Sequence, residues 1–171
     1  MKVVLVGYMA SGKSSVGRLL ANELDVEFID LDTYIEKEQQ KSIDTIFSEK
    51  GEIFFRKLEN EMLQKVLKEH ESILLSTGGG TPCYGNNIET ILNNSDHSIY
   101  LQLSVSALVE RISNEKDQRP LVKDLQDDEL PEFIGKHLFE RRQYYEQAKH
   151  IVGNEKKTVE EVVSEIKELL L

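Results

Sequence analysis

Short apolar runs alternate with longer stretches of helical periodicity along this chain. Val3–Val6 is a β-branched run, which is typical of a buried parallel strand. Lys13–Leu24 follows it with apolar residues at helical spacing, which indicates a helix. The same alternation predicts four more strands, at Glu27–Leu31, Ser72–Thr77, Ser98–Leu103 and His150–Gly153. It predicts further helices at Thr33–Gln40, Ile43–Lys50, Glu52–His70, Asn87–Asn94, from the fourth strand through about Ser113, at Pro131–Lys149 and at Thr158–Leu170.

This rhythm also predicts the fold class. Strands that alternate with helices form a parallel sheet covered on both faces, so we expect a three-layer α/β/α fold. The length of 171 residues, without an internal repeat or linker, predicts a single domain over residues 1–171. Only residues 115–128 break the rhythm, because they are charged, contain Pro120 and have no clear period. This predicts a mobile lid over about residues 113–128.

Charge and composition narrow the possible partners. The net charge is −10, whereas a broad nucleic-acid interface needs a basic face, so we expect no nucleic-acid partner. The single cysteine, Cys83, excludes an internal disulfide. The apolar run at the N-terminus is too short for a signal peptide or a membrane span, so we expect a cytoplasmic protein without a membrane partner. We also expect a monomer.

The strongest motif lies directly after the first predicted strand. Gly7–Ser14 matches the phosphate-loop pattern G-x-x-x-x-G-K-[ST] in full, and a helix is predicted to begin at Lys13. Backbone N–H groups of such a loop point at phosphate oxygens. We expect Lys13, at the surface of the loop, to reach the β- and γ-phosphates of ATP, and Ser14 to hold one Mg²⁺ per ATP. The predicted ATP-binding residues here are Gly7, Ala10, Ser11, Gly12, Lys13, Ser14 and Ser15.

One alternative and one departure from the usual pattern belong to this motif. A Gly-rich turn without nucleotide would show the same letters. Ala10 stands where many small kinases have glycine, and alanine is a mild change there if its φ angle is negative.

An acidic pair follows the second predicted strand. In an open α/β sheet, ligands bind beyond the carboxyl ends of the strands, where Asp30-Leu31-Asp32 is placed. Strand alternation would put Asp30 and Asp32 on one side of the chain. One carboxylate could then hold a metal-bound water while the other takes a proton from an attacking hydroxyl. The alternative is that Asp32 only caps a helix that begins near Thr33.

Glycines and arginines complete the candidate site. Gly78-Gly79-Gly80 follows the third predicted strand, and it either lets a substrate approach the backbone or forms a plain flexible turn. Arg56 and Glu59 lie three positions apart on one helical face, so Glu59 could orient the Arg56 guanidinium toward a carboxylate, or the two could form a surface ion pair. Phe55, beside Arg56, is a candidate pocket residue.

Three more arginines are candidates. Arg119, in the predicted lid, could close over a transferring phosphoryl group. Arg141-Arg142 lies in the helix that follows, and one of the two could face the site. The four histidines, His70, His97, His137 and His150, show no metal-ligand spacing and receive no role.

These elements, in this order, resemble the shikimate kinase family, which is nucleoside-monophosphate-kinase-like. The residues that carry the resemblance are Gly7–Ser14, Asp30-Leu31-Asp32, Gly51–Glu59, Ser76–Gly80, Arg119-Pro120-Leu121 and Arg141–Tyr145. The resemblance implies strand order 2-3-1-4-5, with a substrate-binding region at about residues 32–60. It also implies ATP and shikimate as ligands, with transfer of the γ-phosphate to the 3-hydroxyl of shikimate in aromatic amino-acid biosynthesis.

The resemblance implies a role for each matching residue. Asp32 would contact the shikimate hydroxyls and act as the base, while Ser14 would ligate Mg²⁺ and Asp30 would support it through water. The residues expected to bind shikimate are Asp32, Phe55, Arg56, Gly78, Gly79, Gly80 and Arg141. Arg141 is preferred over Arg142 because it precedes Tyr145 with the family's R-x-x-x-Y spacing.

The nucleotide contacts follow in the same way. Arg119 would touch the ATP phosphates from the lid, Arg111 is a candidate to stack on adenine, and Asn154 belongs to the expected adenine-binding segment.

Two rival functions stay open at this point. The first is another small-metabolite kinase, such as a gluconate kinase. The second is a nucleotide-binding regulator without transfer activity. Regulators of the GTPase type carry an N-K-x-D motif, which Asn154-Glu155-Lys156-Lys157 does not match.

Overall fold

The computed structural model describes residues 1–171 and contains one five-stranded parallel sheet. The strands are β1 (Lys2–Val6), β2 (Glu27–Asp30), β3 (Ile73–Ser76), β4 (His97–Gln102) and β5 (His150–Gly153). Their order across the sheet is β2-β3-β1-β4-β5, with every pair parallel. The order implied by the resemblance and the predicted number of strands are both confirmed.

Seven helices cover the sheet. They are α1 (Lys13–Leu24), α2 (Leu31–Gln39), α3 (Ile43–Glu69), α4 (Asn87–Asn94), α5 (Val105–Glu115), α6 (Leu130–Tyr145) and α7 (Val159–Leu169). The bounds of α1 and α4 agree with the sequence prediction. Thr158 begins α7 with the reciprocal hydrogen bonds of a capping box, in which Glu161 is the partner.

The two faces of the sheet bury separate sets of side chains. Val3 and Leu5 of β1 pack in a cluster that includes residues of α1 and α7. Val4 and Val6 pack in a larger cluster on the other face, with side chains from α2, α3, α5 and α6. Successive strand residues point to opposite faces, so an uninterrupted apolar strand must be covered on both sides. The predicted three-layer fold is confirmed.

Two of the predicted helices follow one another directly, separated by a kink. Ile43–Glu69 forms one helical element, interrupted only at Gly51, which has φ 84° and ψ 174°. Glycine tolerates this positive φ, and the backbone turns there. The predicted helices Ile43–Lys50 and Glu52–His70 are therefore confirmed as two helical segments on either side of a kink.

The acidic pair is arranged differently from the prediction. Asp30 is the last residue of β2 and also the cap of α2, because its Oδ1 accepts a hydrogen bond from the Thr33 N–H over 3.0 Å. Asp32 lies inside the first helical turn. Strand alternation is therefore the wrong reason for placing the two carboxylates together, and the alternative that Asp32 caps this helix is also wrong.

The charged segment between α5 and α6 lacks regular structure apart from a 3₁₀ turn at Lys116–Gln118. One side chain of the segment, Val122, is fully buried in the core cluster. Arg119 donates two hydrogen bonds to Oε2 of Glu115, at 3.2 and 2.7 Å. Leu125, which is partly buried, packs against the same cluster. The function of the segment as a lid remains a prediction.

Candidate active site

The phosphate loop connects the end of β1 to the first turn of α1. Gly12 immediately precedes α1 with φ 94°, a conformation that glycine adopts without strain. Ala10 has φ 64°, so the condition under which alanine would be a mild replacement is not met. The left-handed region costs an L-residue roughly 1–2 kcal/mol. The loop therefore holds a strained alanine at its tip.

Two residues from distant elements fasten the loop. Arg111 of α5 donates from Nη1 to the carbonyl of Ala10 over 3.2 Å. Asn154, directly after β5, donates from Nδ2 to the carbonyl of Ser11 over 2.6 Å and is almost fully buried. Both residues predicted to contact adenine therefore lie against the loop, whereas their contact with adenine remains a prediction.

Lys13 is buried, which contradicts its expected place at the surface of the loop. Its side chain is only 8% exposed, and Nζ donates to the carbonyls of Gly7 (2.7 Å) and Tyr8 (3.0 Å). Burial lowers the pKa of Lys13 to about 8. The ammonium group folds back over the loop, where these carbonyls are its acceptors.

Oxygen donors meet at the start of α1. Ser14 donates from Oγ to Oδ2 of Asp30 over 3.3 Å. Mg²⁺ prefers oxygen ligands and is usually held by one or two protein groups together with phosphates and water. No cluster of three or more acidic, histidine or cysteine side chains is present that could hold a metal ion by itself. The Ser14–Asp30 pair fits a cation that arrives with a nucleotide.

Asp32 faces the interior of the same site. A Cβ atom added to Gly78 would lie 3.1 Å from Oδ1 of Asp32, so the carboxylate lies directly over the glycine backbone. Burial, followed by the neighbouring charge of Asp30, raises the pKa of Asp32 to about 6. The carboxylate is thus poised to accept a proton near neutral pH.

The glycine triplet lies beneath two guanidinium groups. A Cβ atom on Gly80 would lie 2.8 Å from Nη2 of Arg56 and 3.2 Å from Nη2 of Arg141, and one on Gly79 would lie 3.4 Å from Nη1 of Arg141. A side chain at Gly80 would collide with Arg56. Because the triplet has no side chains, its backbone lies close to both arginines. The alternative of a plain flexible turn therefore does not describe Gly80.

Arg56 is held by the carboxylate of Glu59 and by the ring of Tyr84. Nη1 donates to Oε1 of Glu59 over 2.9 Å, and Glu59 is almost completely buried. The other oxygen of Glu59 accepts from Thr81 Oγ1 over 2.8 Å. The Tyr84 ring centroid lies 3.8 Å from the guanidinium carbon. Nε of Arg56 is buried and makes no hydrogen bond, although Oε1 of Glu52 lies 3.9 Å from it. The surface-pair alternative for Arg56 and Glu59 is therefore wrong.

The two arginines of α6 point in different directions. Arg141 lies beside Gly79 and Gly80, whereas Arg142 is exposed and donates from Nε to Glu146 over 2.7 Å. Tyr145 follows Arg141 by one turn, and its hydroxyl donates to the carbonyl of Gly79 over 2.5 Å. Only Arg141 thus faces the glycine triplet, as its spacing from Tyr145 predicted.

Three other side chains, two of them candidates, have distinct places. Phe55 is buried in the core against Phe47, with ring centroids 4.6 Å apart, and its ring also lies 5.3 Å from the Arg56 guanidinium carbon. Ser15 is exposed in the first turn of α1. Burial raises the pKa of Cys83 to about 11, so its thiol is protonated at neutral pH.

Sequence reasoning did not assign Tyr84 or Thr81 to the site. Both follow the glycine triplet within four residues. That proximity was an available signal, but only the packing of the 3₁₀ turn Thr81–Cys83 against α3 shows that they contact Arg56 and Glu59.

None of the helices combines the length and the apolar character that a membrane span requires.

An intact phosphate loop on a 2-3-1-4-5 sheet, facing a pocket lined by two arginines, defines a small-molecule kinase of the P-loop class. The family model "SKI: Shikimate kinase" matches residues 9–171. The chain belongs to the shikimate kinase family.

Individual relatives agree over the full length. The chain is 46% identical to shikimate kinase of Flavobacterium psychrophilum, over 99% of this chain and 98% of the relative. It is 42% identical to the Flavobacterium johnsoniae enzyme, with the same coverage. A solved shikimate kinase structure from Bacteroides thetaiotaomicron has a TM-score of 0.92 at 37% identity, over 99% and 98% of the two chains. Shikimate kinase from Acinetobacter baumannii, solved in complex with shikimate, has a TM-score of 0.87 at 29% identity, over 99% and 92%.

Proposed function

We propose that this protein transfers the γ-phosphate of ATP to the 3-hydroxyl of shikimate, giving shikimate 3-phosphate and ADP in aromatic amino-acid biosynthesis. The observation that carries the proposal is the convergence of Arg56 and Arg141 on Gly80, beside the phosphate loop. ATP phosphates need only part of the positive charge in this acidic protein. Two further guanidinium groups call for a second anion, and shikimate has one carboxylate.

The nucleotide end of the site is supplied by the loop. Its backbone N–H groups and the N-terminus of α1 favour phosphate oxygens. Lys13 would exchange the carbonyls of Gly7 and Tyr8 for phosphate oxygens. Ser14 would ligate Mg²⁺ directly and Asp30 through water, one cation per ATP. When bound, the cation would neutralise charge on the phosphate oxygens.

The acceptor end is supplied by the arginines and Asp32. A planar guanidinium binds a carboxylate through two parallel hydrogen bonds, which fixes the direction of the ring as well as its position. Nε of Arg56 makes no hydrogen bond in this structure and would donate in such a contact. The carboxylate of shikimate would lie between Arg56 and Arg141, while Gly78 to Gly80 leave room for the ring.

Asp32 would hold the attacking hydroxyl. With a pKa of about 6, its carboxylate is mostly ionised at pH 7 and accepts a hydrogen bond or a proton. Phosphoryl transfer passes through a loose transition state, so orientation of the hydroxyl contributes more than early proton removal.

Lid closure would complete the site. Arg119 pairs with Glu115 in this structure and would leave that pair to reach the ATP phosphates. We also propose that the protein acts as a monomer in the cytoplasm, where ATP is available and Cys83 stays a free thiol.

Release of ADP with shikimate or gluconate as the acceptor tests the reaction. ADP release with shikimate as the acceptor, and none with gluconate, supports the proposal. ADP formed only with gluconate would assign the protein to another kinase activity, and nucleotide binding without ADP release in either case would make it a regulator.

A binding experiment tests the carboxylate contact. We expect Arg56→Lys to weaken shikimate binding, measured by isothermal titration, by about 10- to 150-fold, because a hydrogen bond to a charged group is lost. Arg142→Lys is the matched control and should bind as the wild type does, since Arg142 faces away from the triplet. Equal shikimate affinity of Arg56→Lys and wild type would contradict the contact.

A further inference from the structure

A hydrogen bond joins the phosphate loop to the middle of α6. The Oη atom of Tyr8 lies 2.8 Å from Nδ1 of His137, and the two rings also meet edge to face, with centroids 5.4 Å apart. Tyr8 is 1% exposed. Neither side chain has a part in the nucleotide or shikimate contacts proposed above. The two residues lie far apart in the sequence, so the bond depends entirely on the tertiary fold.

Each end of this bond lies next to a residue of the transfer reaction. The backbone carbonyl of Tyr8 accepts a hydrogen bond from Lys13 Nζ over 3.0 Å. His137 lies one helical turn before Arg141, on the same face of α6. The Tyr8 side chain therefore connects the loop that holds the donor phosphates to the helix that presents Arg141 to the acceptor.

Both partners stay neutral over the physiological pH range. Burial, followed by the charge of Arg141, lowers the pKa of His137 to about 4. Burial raises the pKa of Tyr8 to about 12. The contact is therefore an uncharged hydrogen bond, with the donor set by the histidine tautomer, and it adds no charge that would compete with Arg141 for an anion.

The hydrogen bond meets α6 between the start of the helix and Arg141. The helix begins at Leu130, immediately after the segment that carries Arg119. If that segment moves as the proposed lid, it would pull on the first turn of α6, whereas Arg141 lies in the last turn but one. His137 lies between them, and Phe133 packs against its ring with centroids 5.4 Å apart. An attachment at this point separates the moving end of the helix from the binding end.

We propose that Tyr8 and His137 are positioning residues that fix α6 against the phosphate loop, so that Arg141 keeps its distance from the donor phosphates while the lid moves. The inference rests on the proposed function, because it assigns Arg141 to the shikimate carboxylate. Loss of the bond leaves both ligands' contacts in place but lets Arg141 shift relative to the loop. The affinity for shikimate falls as a result, while ATP, held by the loop itself, is affected less.

The test uses substitutions that remove or restore only the polar contact. Tyr8→Phe removes the hydroxyl and His137→Leu removes the ring nitrogen. His137→Asn restores a polar atom at the position of Nδ1, because the amide lies the same number of bonds from Cα. Tyr144→Phe is the control, since Tyr144 lies on the same helix and its hydroxyl has no hydrogen bond to another residue. The measurements are kcat, the KM for shikimate and for ATP, the Kd for shikimate by isothermal titration, and the melting temperature.

We expect Tyr8→Phe and His137→Leu each to raise the KM and Kd for shikimate by about 2- to 10-fold, with a smaller change in the KM for ATP. The double variant should be no worse than either single variant, because both remove one bond. His137→Asn should recover most of the wild-type KM, and Tyr144→Phe should match the wild type.

Two results overturn the positioning role. The first is a lowered melting temperature with the shikimate KM and Kd of both single variants unchanged, because that is the signature of a purely structural bond. The second is additive effects of the two substitutions on the shikimate KM. A wild-type protein that fails to phosphorylate shikimate would instead overturn the proposed function, so the two failures are distinguishable.

Discussion

The guanidinium carbon of Arg56 lies 3.8 Å from the ring centroid of Tyr84, within the range of a cation–π contact. The ring covers one face of the guanidinium group, and Nε makes no hydrogen bond. Arg56 is therefore oriented by an aromatic face and by the buried carboxylate of Glu59 before any ligand arrives. Because Arg56 is already ordered, its side chain loses less conformational entropy when a carboxylate binds.

The first prediction concerns this contact. We expect Tyr84→Leu to weaken shikimate binding by about 2- to 30-fold, since a partly desolvated cation–π contact contributes roughly 0.5–2 kcal/mol. Tyr84→Phe keeps the aromatic face and should bind nearly as the wild type does. Isothermal titration with shikimate and with ATP measures both affinities. If Tyr84→Leu and Tyr84→Phe bind shikimate equally well, the ring does not orient Arg56.

The second prediction links Asp32 to stability. Its pKa is raised from 3.8 to about 6, so the folded state binds more protons than the unfolded state between these values. Stability from this group therefore falls as the pH rises from about 4 to 6, and the ionised carboxylate opposes folding above pH 6. We expect Asp32→Asn to be more stable than the wild type at pH 8, by on the order of 1–3 kcal/mol, and to lose this advantage near pH 4.

Chemical denaturation of Asp32→Asn and the wild type at both pH values measures this difference. Turnover of the variant should be strongly reduced, because the amide cannot accept a proton. Asp128→Asn, on the exposed segment before α6, is the control and should show no pH-dependent gain. A pH-independent difference for Asp32→Asn would mean that burial of its charge is not the cause.

The third prediction concerns Lys13. Its pKa is lowered from 10.5 to about 8 by burial, so the unfolded state binds more protons between these values and stability rises with pH across that range. Below pH 8 the buried charge opposes folding. We expect Lys13→Met, which keeps the length of the side chain, to melt at or above the wild-type temperature at pH 7 while turnover is nearly abolished. A folded variant with near-normal turnover would exclude a role for Lys13 at the phosphates.

The fourth prediction concerns the strained alanine of the loop. With φ 64° at Ala10, glycine should relieve the left-handed strain. Glycine also gives the unfolded chain more freedom, which offsets part of the gain. We expect Ala10→Gly to change the free energy of unfolding by between zero and about +1 kcal/mol. Ala107→Gly, inside α5, should instead destabilise by about 1 kcal/mol. Equal losses in the two variants would contradict strain at Ala10.

The fifth prediction concerns the lid. Arg119 must leave Glu115 to reach a nucleotide, so hydrogen exchange over residues 116–125 should slow when an ATP analogue and shikimate bind together. Arg119→Ala should lower kcat by roughly 10³-fold, as for other arginines that act on a transferring phosphoryl group. Glu115→Gln weakens only the resting pair and should not lower kcat to that extent. Unchanged exchange together with an unchanged kcat in Arg119→Ala would reject lid closure.

The sequence predicted the layers of the fold and the phosphate loop because these depend on local patterns. Five apolar strands between amphipathic helices allow few arrangements other than a parallel sheet covered on both faces. The loop motif places its own Lys13 and Ser14, since eight consecutive residues contain the whole pattern. The family's R-x-x-x-Y spacing, which the resemblance supplied, likewise separated Arg141 from Arg142.

The tertiary structure decided what each of these side chains contacts. Lys13 is buried, Tyr84 lies against Arg56, and Tyr8 shares a hydrogen bond with His137. All three depend on how the elements pack together. Asp32 acquires its raised pKa in the same way, because desolvation depends on every element that surrounds a group. Sequence periodicity states which face of an element is buried, but only the assembled layers determine which side chains from other elements lie against that face.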